Sequence, residues 1–362
     1  MVLLLGATGY IGQGFAGELR RRGHEFIPLS RKAFDYTQLR LLFDYVRTMR
    51  PELVINAAGY AGRPNVDACE LARVETFQAN TLLPQTVARA CVMTNTPWAH
   101  VSTGCIYTGA KMCENGEVRV ERDLNRPEVR RSFERHPENF LGFTELDGPN
   151  FSFRYPSFNF CSGTKALAEE AIRDCGPGYI WRPMMPFNER DRPCNFLSRI
   201  QRYPRVYDHV TSLSHLGDCV RACLDLWGRR APFGVYNVAN PGAVTTRQVV
   251  EMIQRILKPT RQFEYWTDDD EFYGGGAKAL RSNCILDVTK LLHSGVKMRH
   301  VQEALEDSLE RWQPVGPDCW RAESLAVSSP CRRPSVRRSE PGGWRPEEGR
   351  QTAKTRKAAV RG

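Results

Sequence analysis

The sequence lacks the cysteine spacing of a structural metal site. Its twelve cysteines are scattered over 362 residues, and no two of them form a Cys-x-x-Cys pair. Cys219 and Cys223 are four residues apart, but no neighbouring His or Cys completes a ligand set. We therefore expect no metal, and we expect reduced thiols of the kind found in the cytoplasm.

Long apolar runs are also missing. No stretch of the sequence is apolar over the ~20 residues that a membrane-spanning helix needs. The first strand-like segment begins at residue 2, so we expect no signal peptide, no membrane partner and a cytoplasmic location. The hydrophobic content of 41% is enough for one large domain or two smaller ones with a buried core.

The excess of positive charge is concentrated at the end of the chain. Of the formal net charge of +10, residues 314–362 carry +6, from eleven Arg or Lys against five Asp or Glu. This segment is rich in Arg, Pro, Ser and Gly and has almost no apolar periodicity, which predicts a disordered basic tail. Basic tails bind nucleic acid in some proteins, but we favour a solvated appendage here.

The start of the chain contains a glycine motif. The apolar residues 2–5 lead into three glycines spaced three apart, and a helical pattern follows to about Arg22. Gly6 allows the tight turn out of the strand, Gly9 lets a pyrophosphate approach the backbone, and Gly12 lets the helix pack closely. The N-terminus of that helix presents free N–H groups to phosphate. The motif predicts a dinucleotide site formed by Gly6, Thr8, Gly9, Tyr10, Ile11 and Gly12.

Two basic residues follow the second strand-like segment, residues 25–30. In a dinucleotide fold this strand ends beside the adenosine ribose, where an acidic residue binds a free 2′-hydroxyl and Arg accommodates a 2′-phosphate. Arg31 and Lys32 therefore favour NADP(H) over NAD(H), and a pair of solvated basic residues is the alternative interpretation.

Strand-like and helical segments alternate over the first hundred residues. This alternation predicts an α/β fold with a Rossmann-type, doubly wound parallel sheet. Residues 53–59 form a buried strand that ends in small residues, and residues 99–107 form a further strand that turns polar. Because ligands bind at the carboxyl ends of such strands, we expect further cofactor contacts at Asn56, Ala57, Ala58 and Gly59.

Three regions are expected along the chain. Residues 1–181 plus about 208–240 form the dinucleotide-binding domain, which a charged insertion interrupts at 110–140. Residues 182–207 plus 241–313 form a smaller C-terminal lobe for the substrate. Residues 314–362 form the basic tail.

Short motifs are spread along the body of the chain, at residues 55–70, 102–107, 148–151, Arg182 with 185–186, 195–197, 240–242 and 281–283. Together with the Gly-x-x-Gly-x-x-Gly spacing, they resemble the extended short-chain dehydrogenase/reductases, in particular the dTDP-4-dehydrorhamnose reductases. The resemblance is closer still to the bifunctional UDP-4-keto-6-deoxyglucose 3,5-epimerase/4-reductases that form UDP-rhamnose. It covers about residues 2–313, apart from the insertion.

The resemblance implies a catalytic Thr or Ser and a Tyr-x-x-x-Lys on a helix. In this superfamily the Tyr exchanges a proton with the sugar C4 oxygen, the Lys binds the nicotinamide ribose, and the Thr orients the carbonyl. Thr103 and Lys165 match this pattern, but Cys161 stands where the Tyr is expected. A thiol ends several bonds short of a phenol oxygen, so proton delivery from it would need an intervening water.

The same resemblance implies an epimerase pair of one base and one acid beside the keto group. Cys105 matches a cysteine of these relatives, although a buried structural cysteine is nearly as good an interpretation. Arg199 stands in place of a lysine, and because it cannot easily give up a proton it suits a diphosphate or an oxyanion better. His215 is a spare acid or base. The other substrate-binding candidates are Asn65, Arg182 and Asn195.

We therefore expect an NADPH-dependent reductase, with epimerase activity as a further option. Its substrate would be a UDP- or dTDP-linked 4-keto-6-deoxysugar in rhamnose-type sugar nucleotide biosynthesis, and a homodimer is compatible with the resemblance. Because Cys161 replaces the tyrosine, the alternative is a catalytically impaired NADP-binding pseudoenzyme that serves as a regulatory subunit.

Deleting residues 320–362 tests the interpretation of the tail. Its composition cannot bury enough apolar surface to offset the entropy of ordering it. We expect the truncated and full-length proteins to have the same melting temperature and the same NADPH dissociation constant in calorimetry. A large loss of either would show that the tail docks on the body.

Overall fold

The computed structural model describes residues 1–315, and from residue 316 onward the predicted basic tail lies outside the described residues. The strands are β1 (Val2–Leu5), β2 (Phe26–Leu29), β3 (Leu53–Asn56), β4 (Trp98–Val101), β5 (Ala110–Glu114), β6 (Glu117–Glu121), β7 (Phe140–Leu141), β8 (Gly178–Arg182), β9 (Pro186–Phe187), β10 (Arg205–Val206), β11 (Val210–Thr211), β12 (Ser214–His215), β13 (Gly234–Asn237), β14 (Val244–Thr245) and β15 (Glu264–Tyr265).

The helices cover the faces of the sheet and build the C-terminal lobe. They are α1 (Tyr10–Arg21), α2 (Leu39–Met49), α3 (Asp67–Leu71), α4 (Arg73–Phe77), α5 (Leu83–Met93), α6 (Pro127–Arg135), α7 (Phe160–Ile172), α8 (Phe196–Ile200), α9 (Leu216–Gly228), α10 (Thr246–Leu257), α11 (Asp269–Glu271), α12 (Thr289–His293) and α13 (Val301–Glu310). A π-helical turn, Gln78–Leu82, connects α4 to α5. No helix in the described part of the chain is both long and apolar enough to cross a membrane.

Six parallel strands form the main sheet in the order β13-β8-β4-β3-β1-β2. Strand β1 consists of four apolar residues, all buried, because helices cover both faces of the sheet. One core packs α1 and α9 on one face, where Phe15 stacks on Trp181 at 5.6 Å. The other core packs α2 and α5 on the opposite face. The predicted Rossmann-type, doubly wound sheet is confirmed.

The charged insertion at 110–140 folds into a small unit of its own. Strands β5 and β6 form an antiparallel hairpin, and β7 pairs with β5 on the other side. Leu124, Val129 and Phe133 are buried in a core that also includes Val210 and Ile285. The high charge of the segment concealed these few apolar positions, which are enough to attach it to the rest of the chain.

The C-terminal segments share a separate apolar core. It joins α8, α10 and α13, with Phe196, Val249 and Leu305 among its buried side chains. By their contacts all described residues fall into one unit, so this core is a lobe of that unit.

A buried ion pair joins α7 to the sheet. The guanidinium of Arg182, at the end of β8, donates to the Glu169 carboxylate at 2.6 Å through Nη2 and at 3.0 Å through Nε. Both side chains are fully buried. Arg182 Nη1 also donates to the Tyr107 hydroxyl at 2.9 Å, and the Ser102 hydroxyl donates to Glu169. The sequence made Arg182 a substrate-binding candidate, but in the structure its guanidinium is buried and pairs with Glu169.

Removing one partner of this pair should destabilise the fold strongly. Arg182→Ala leaves the Glu169 carboxylate buried without a counter-charge, which typically costs about 3–5 kcal/mol. We expect that loss in the free energy of unfolding, measured by urea denaturation. Arg40→Ala is the control, because the Arg40–Asp44 pair is exposed and such pairs contribute at most about 1 kcal/mol. Equal effects of the two substitutions would contradict the prediction.

Candidate active site

The glycine loop between β1 and α1 leaves an open face for a phosphate. Gly6 has a φ of +74°, and a Cβ atom on it would lie 2.6 Å from the backbone nitrogen of Ala58. A Cβ atom on Gly12 would collide with the carbonyl oxygen of Gly6, so α1 packs directly on the loop. A Cβ atom on Gly9 would meet, among the described residues, just that same oxygen at 3.3 Å. The backbone at Gly9 is thus accessible at the N-terminus of a twelve-residue helix, which fits a pyrophosphate.

The other loop residues surround that N-terminus. Thr8 is exposed, and Tyr10 and Ile11 are half-buried in the first turn of α1. The Tyr10 hydroxyl donates to Asn188 Oδ1 at 2.9 Å, which connects the loop to the segment after β9. Tyr10 therefore links the cofactor side of the cleft to the C-terminal lobe.

The basic pair after β2 is free to meet an anion. Arg31 and Lys32 are exposed at the carboxyl end of the strand next to β1. Within residues 1–315 neither side chain forms an ion pair, and hydrogen bonds from Thr37 and Gln38, with a smaller effect of the Arg31 charge, lower the pKa of Asp35. An uncompensated guanidinium at this position suits a 2′-phosphate.

The segment after β3 forms the floor of the cleft. Asn56 is buried, where its Oδ1 accepts the backbone N–H of Ala58 at 3.1 Å and its Nδ2 lies 3.2 Å from His100 Nδ1. Asn56 therefore shapes the turn from inside. Ala57, Ala58 and Gly59 present their backbone at the rim, and Gly59 has no side chain to cover it.

Lys165 reaches across this floor. A Cβ atom on Gly59 would lie 3.2 Å from Lys165 Nζ, so the ammonium group lies against the bare face of the glycine. Nζ donates to the carbonyl oxygen of Val101, the last residue of β4, at 3.3 Å. Burial lowers the pKa of Lys165. The lysine therefore stands between the ends of β3 and β4, where it could bind a ribose.

Thr103 and Cys105 follow β4 on the same rim. Thr103 starts a short 3₁₀ turn, and its Oγ1 accepts the backbone N–H of Cys105 at 3.1 Å. The Cys105 sulfur lies 3.6 Å from the sulfur of Met184. Burial raises the pKa of the Cys105 thiol. This thiol is suited to hold a proton rather than to remove one.

Cys161 lies one helical turn before Lys165 on α7. It is half-buried, and its sulfur lies 3.8 Å from Asn80 Nδ2 and 3.7 Å from the carbonyl oxygen of Tyr60. The hydrogen bond with the Cys69 thiol and burial both raise the pKa of Cys161. The position where the resemblance implies a phenol thus carries a thiol with a raised pKa.

Two substrate-binding candidates accept backbone N–H groups near the starts of helices. Asn65 Oδ1 accepts the backbone N–H of Asp67 at 2.8 Å, at the start of α3. Asn195 is buried as the N-cap of α8, and its amide nitrogen donates to the carbonyl oxygens of Asn188 and Arg190, both at 2.7 Å. The side-chain amide of Asn195 is thus occupied within the protein, and Asn65 uses its side-chain oxygen for a local backbone N–H.

Arg199 is the candidate that faces the cleft. It lies on α8, and its Nε is buried with no hydrogen-bond partner in the described part of the chain. Its charge acts on both Tyr10 and Cys105, whose pKa values are raised mainly by burial. The cation therefore lies between the glycine-loop helix and the end of β4. His215, by contrast, caps α9, where its Nδ1 accepts the backbone N–H of Asp218 at 3.2 Å.

Asn80 and Cys69 are site residues that the sequence did not single out. Asn80 lies on the π-helical turn, a feature frequent at functional sites, and its Oδ1 accepts the backbone N–H of Tyr60 at 2.8 Å. Nothing in the local sequence pattern distinguishes either residue. Asn80 acts on Tyr60 and Cys69 acts on Cys161, and in both cases the partner lies on a different segment of the chain. Within residues 1–315 the cysteines are free, and no group of three or more His, Cys, Asp or Glu side chains converges on a metal site.

Comparison with known proteins points to one family. Residues 1–148 match the family model described as the RmlD substrate binding domain. A bifunctional dTDP-4-dehydrorhamnose 3,5-epimerase/dTDP-4-dehydrorhamnose reductase of Arabidopsis thaliana is 30% identical over 308 residues, covering 84% of this chain and 90% of the relative. A trifunctional UDP-glucose 4,6-dehydratase/UDP-4-keto-6-deoxy-D-glucose 3,5-epimerase/UDP-4-keto-L-rhamnose-reductase of the same plant is 30% identical over 312 residues. This chain spans 41% of the length of that trifunctional relative.

Solved structures show the same fold. The UDP-rhamnose synthase of Acanthamoeba polyphaga mimivirus superposes with a TM-score of 0.71 at 21% identity, covering 86% of this chain and 98% of that one. A dTDP-4-dehydrorhamnose reductase of Bacillus anthracis, solved in complex with NADP, superposes with a TM-score of 0.65 at 20% identity, covering 86% and 97%.

The free guanidinium of Arg31 generates a prediction about cofactor choice. Hydrogen bonds to charged groups contribute about 1.5–3 kcal/mol, so NADPH should bind more tightly than NADH by roughly tenfold to a hundredfold. Arg31→Ala should remove most of that difference in calorimetric dissociation constants, whereas Arg40→Ala, an exposed arginine on α2, should not. Equal affinity of the unsubstituted protein for both cofactors would rule the contact out.

Proposed function

Because this chain belongs to the dTDP-4-dehydrorhamnose reductase family, we propose that it is an NADPH-dependent reductase of a nucleotide-linked 4-keto-6-deoxysugar. The product would be a rhamnose-type sugar nucleotide linked to UDP or dTDP. The observation that carries the proposal is the position of Lys165, whose Nζ lies against Gly59 and bonds to the end of β4 at 3.3 Å. That lysine would bring a ribose-binding group to Gly59, next to Ala58, against which Gly6 of the glycine loop packs.

Different residues of the cleft would bind different parts of the cofactor and the substrate. The backbone around Gly9 would hold the pyrophosphate, Arg31 the 2′-phosphate and Lys165 the nicotinamide ribose. The cofactor supplies a hydride when bound. The Thr103 hydroxyl, whose oxygen accepts the N–H of Cys105, would donate its hydrogen to the sugar carbonyl. Arg199, with an unpartnered Nε, is suited to the diphosphate of the nucleotide sugar.

The C-terminal lobe would hold the nucleotide end of the substrate. Its core of α8, α10 and α13 keeps α8 in place, and α8 carries Arg199. We accordingly assign residues 1–181 with 208–240 to the cofactor and 182–207 with 241–313 to the substrate. The link from Tyr10 to Asn188 connects the two sides of the cleft.

Epimerisation is less well supported than reduction. A base is needed beside the keto group, but burial keeps the Cys105 thiol protonated and a guanidinium does not titrate near neutral pH. Cys105 can donate a proton and Arg199 can stabilise an enolate oxygen. We therefore assign the pair to the acid and oxyanion roles and place reduction first.

The setting of the reaction is part of the same proposal. A cytoplasmic location agrees with ten described cysteines that are all free thiols. A homodimer agrees with exposed apolar side chains beside α7, namely Leu71 and Val74, which are 78% and 66% exposed.

A regulatory, non-catalytic subunit is the second candidate, and the observation that favours it is Cys161. The Cys161 side chain is shorter than that of a tyrosine, so its thiol does not reach the position that a phenol oxygen would occupy. The pKa of this thiol is also raised. Binding of NADPH without turnover would support this second function.

Restoring the family residue by Cys161→Tyr tests both candidates. General acid–base help is worth about a hundredfold to ten-thousandfold, so we expect the reduction rate to rise roughly a hundredfold with little change in NADPH affinity. The assay follows NADPH oxidation with UDP- and dTDP-4-keto-6-deoxyglucose. Cys175→Tyr, at a half-buried cysteine beyond the end of α7, is the matched control and should leave the rate unchanged.

Two outcomes would change the assignment. An already fast wild type that gains nothing from Cys161→Tyr would show that the thiol or another group is the working acid. If neither form reduces either sugar although both bind NADPH, the regulatory function is supported instead.

A further inference from the structure

Three sulfur atoms converge behind the rim of the cleft, and the proposed function gives a role to just one of them. The Sγ atom of Cys105 lies 3.6 Å from the Sδ atom of Met184, and the Sγ atom of Cys284 lies 4.0 Å from the same Sδ atom. Cys284 Sγ also contacts the carbonyl oxygen of Gly104, the residue before Cys105, at 3.4 Å. The Met184 thioether is therefore in contact with both thiols.

The fold brings these sulfurs together from three distant segments. Cys105 lies in the 3₁₀ turn after β4, Met184 follows β8, and Cys284 lies between α11 and α12. The backbone N–H of Met184 donates to Ser214 Oγ at 2.8 Å, and the carbonyl oxygen of Cys284 accepts the backbone N–H of Ser212 at 2.9 Å. Two of the three segments are thus held by hydrogen bonds that do not involve sulfur.

The spacing of the sulfurs fits one metal ion. A metal–sulfur bond of the kind found in zinc sites is about 2.3 Å long, so three sulfurs around one trigonal ion lie about 4 Å apart. The two observed distances, 3.6 and 4.0 Å, are close to that value. Thiolate and thioether sulfurs select soft cations such as Cu(I), whereas Mg²⁺ and Ca²⁺ prefer oxygen. Because one ligand is a thioether, this cluster differs from the groups of His, Cys, Asp and Glu considered above.

We propose that Cys105, Met184 and Cys284 form a three-sulfur binding site for a cuprous ion. The ion binds to two thiolates and one thioether. Each cysteine loses its thiol proton to solvent, so binding of one Cu(I) releases two protons, and nothing is oxidised or reduced. The thioether donates a lone pair and has no proton to lose.

The cluster is accessible from one side. Met184 and Cys284 are fully buried, whereas Cys105 is half-buried at the rim. A cation that enters the cleft would therefore meet the sulfur of Cys105 first and the other two behind it. A complex of Cu(I) with two thiolates carries one negative charge, and the nearby guanidinium of Arg199, whose Nε has no hydrogen-bond partner within residues 1–315, would offset it.

Protons compete with the metal ion at this site. Burial raises the pKa values of the Cys105 and Cys284 thiols, so both are protonated before the ion binds. The ion must displace both protons, and its apparent affinity should rise with pH by about a hundredfold per unit for as long as both thiols are protonated.

Binding of the ion would change the chemistry of the rim. It would remove the thiol hydrogen of Cys105, to which we assign the acid role, and it would place a cation two residues from Thr103. This consequence rests on the proposed function. The metal site itself does not, because it requires just the three sulfurs.

The experiment titrates the full-length, reduced protein with Cu(I) under anaerobic conditions. Bathocuproine disulfonate is present as a competing chelator, which suppresses binding to single thiols. We expect the protein to withdraw one equivalent of Cu(I) from the chelator, and to do so more strongly at higher pH. X-ray absorption at the copper edge should show three sulfur neighbours at about 2.3 Å.

Substitutions identify the ligands. Loss of a group outside the ligand shell already weakens metal binding about 10- to 100-fold, so Met184→Leu and Cys284→Ala should each weaken it at least about a hundredfold. Met252→Leu, at a half-buried methionine on α10, and Cys175→Ala, at a half-buried cysteine, are the matched controls and should leave the affinity unchanged. Circular dichroism and the melting temperature show whether each variant is folded.

Three results would overturn the proposal. The wild type might as a first case leave all of the Cu(I) with the chelator. In the second, copper binds but has fewer than three sulfur neighbours, and in the third, folded Met184→Leu binds as tightly as the wild type. The first two are measured on the unsubstituted protein, so they decide the matter even if a variant does not fold. A protein that binds no NADPH and reduces no sugar would still reveal the metal site, and an active reductase that binds no Cu(I) would refute this proposal alone.

Discussion

The position of helix α7 depends on the buried ion pair between Glu169 and Arg182. Both side chains are fully buried, and such a pair is stable only when its donors and acceptors are matched. Here the Ser102 and Tyr107 hydroxyls complete the set, so that β4, β8 and α7 meet at one carboxylate. Lys165 and Cys161 lie one and two turns before Glu169 on the same helix. The pair therefore determines where both side chains reach the rim of the sheet.

The cleft separates cofactor binding from proton delivery. The glycine loop, the free Arg31 and the buried Lys165 form a coherent set for a phosphorylated dinucleotide, and none of them depends on the residue at position 161. Position 161, where the resemblance implies a phenol, carries a thiol beside Asn80 and Tyr60.

A residue can match a family motif and still bond to other groups of the protein instead of a ligand. Arg182, Asn65 and Asn195 all belong to motifs that resemble the family, and the structure uses them for an ion pair, a local turn and a helix cap. Sequence reasoning could not distinguish these roles, because a polar side chain at a strand end or helix start suits a ligand and a backbone N–H equally. Arg199 differs from these three residues, because its Nε is buried and has no hydrogen-bond partner within residues 1–315. The sequence could not show this, since it depends on the side chains that surround Arg199 in the fold.

The sequence by itself determined the alternating strands and helices of the main sheet, the parallel direction of its strands and the glycine loop. These follow from local patterns, namely apolar strands, helical periodicity and glycines where backbone must approach a phosphate or another strand. Only the tertiary structure decided that the charged insertion has a core and that Asn80 supports the cleft. The reason is physical: Asn80 bonds to the backbone of Tyr60, which lies on a different segment of the chain, and no local pattern records which distant groups a folded chain brings into contact.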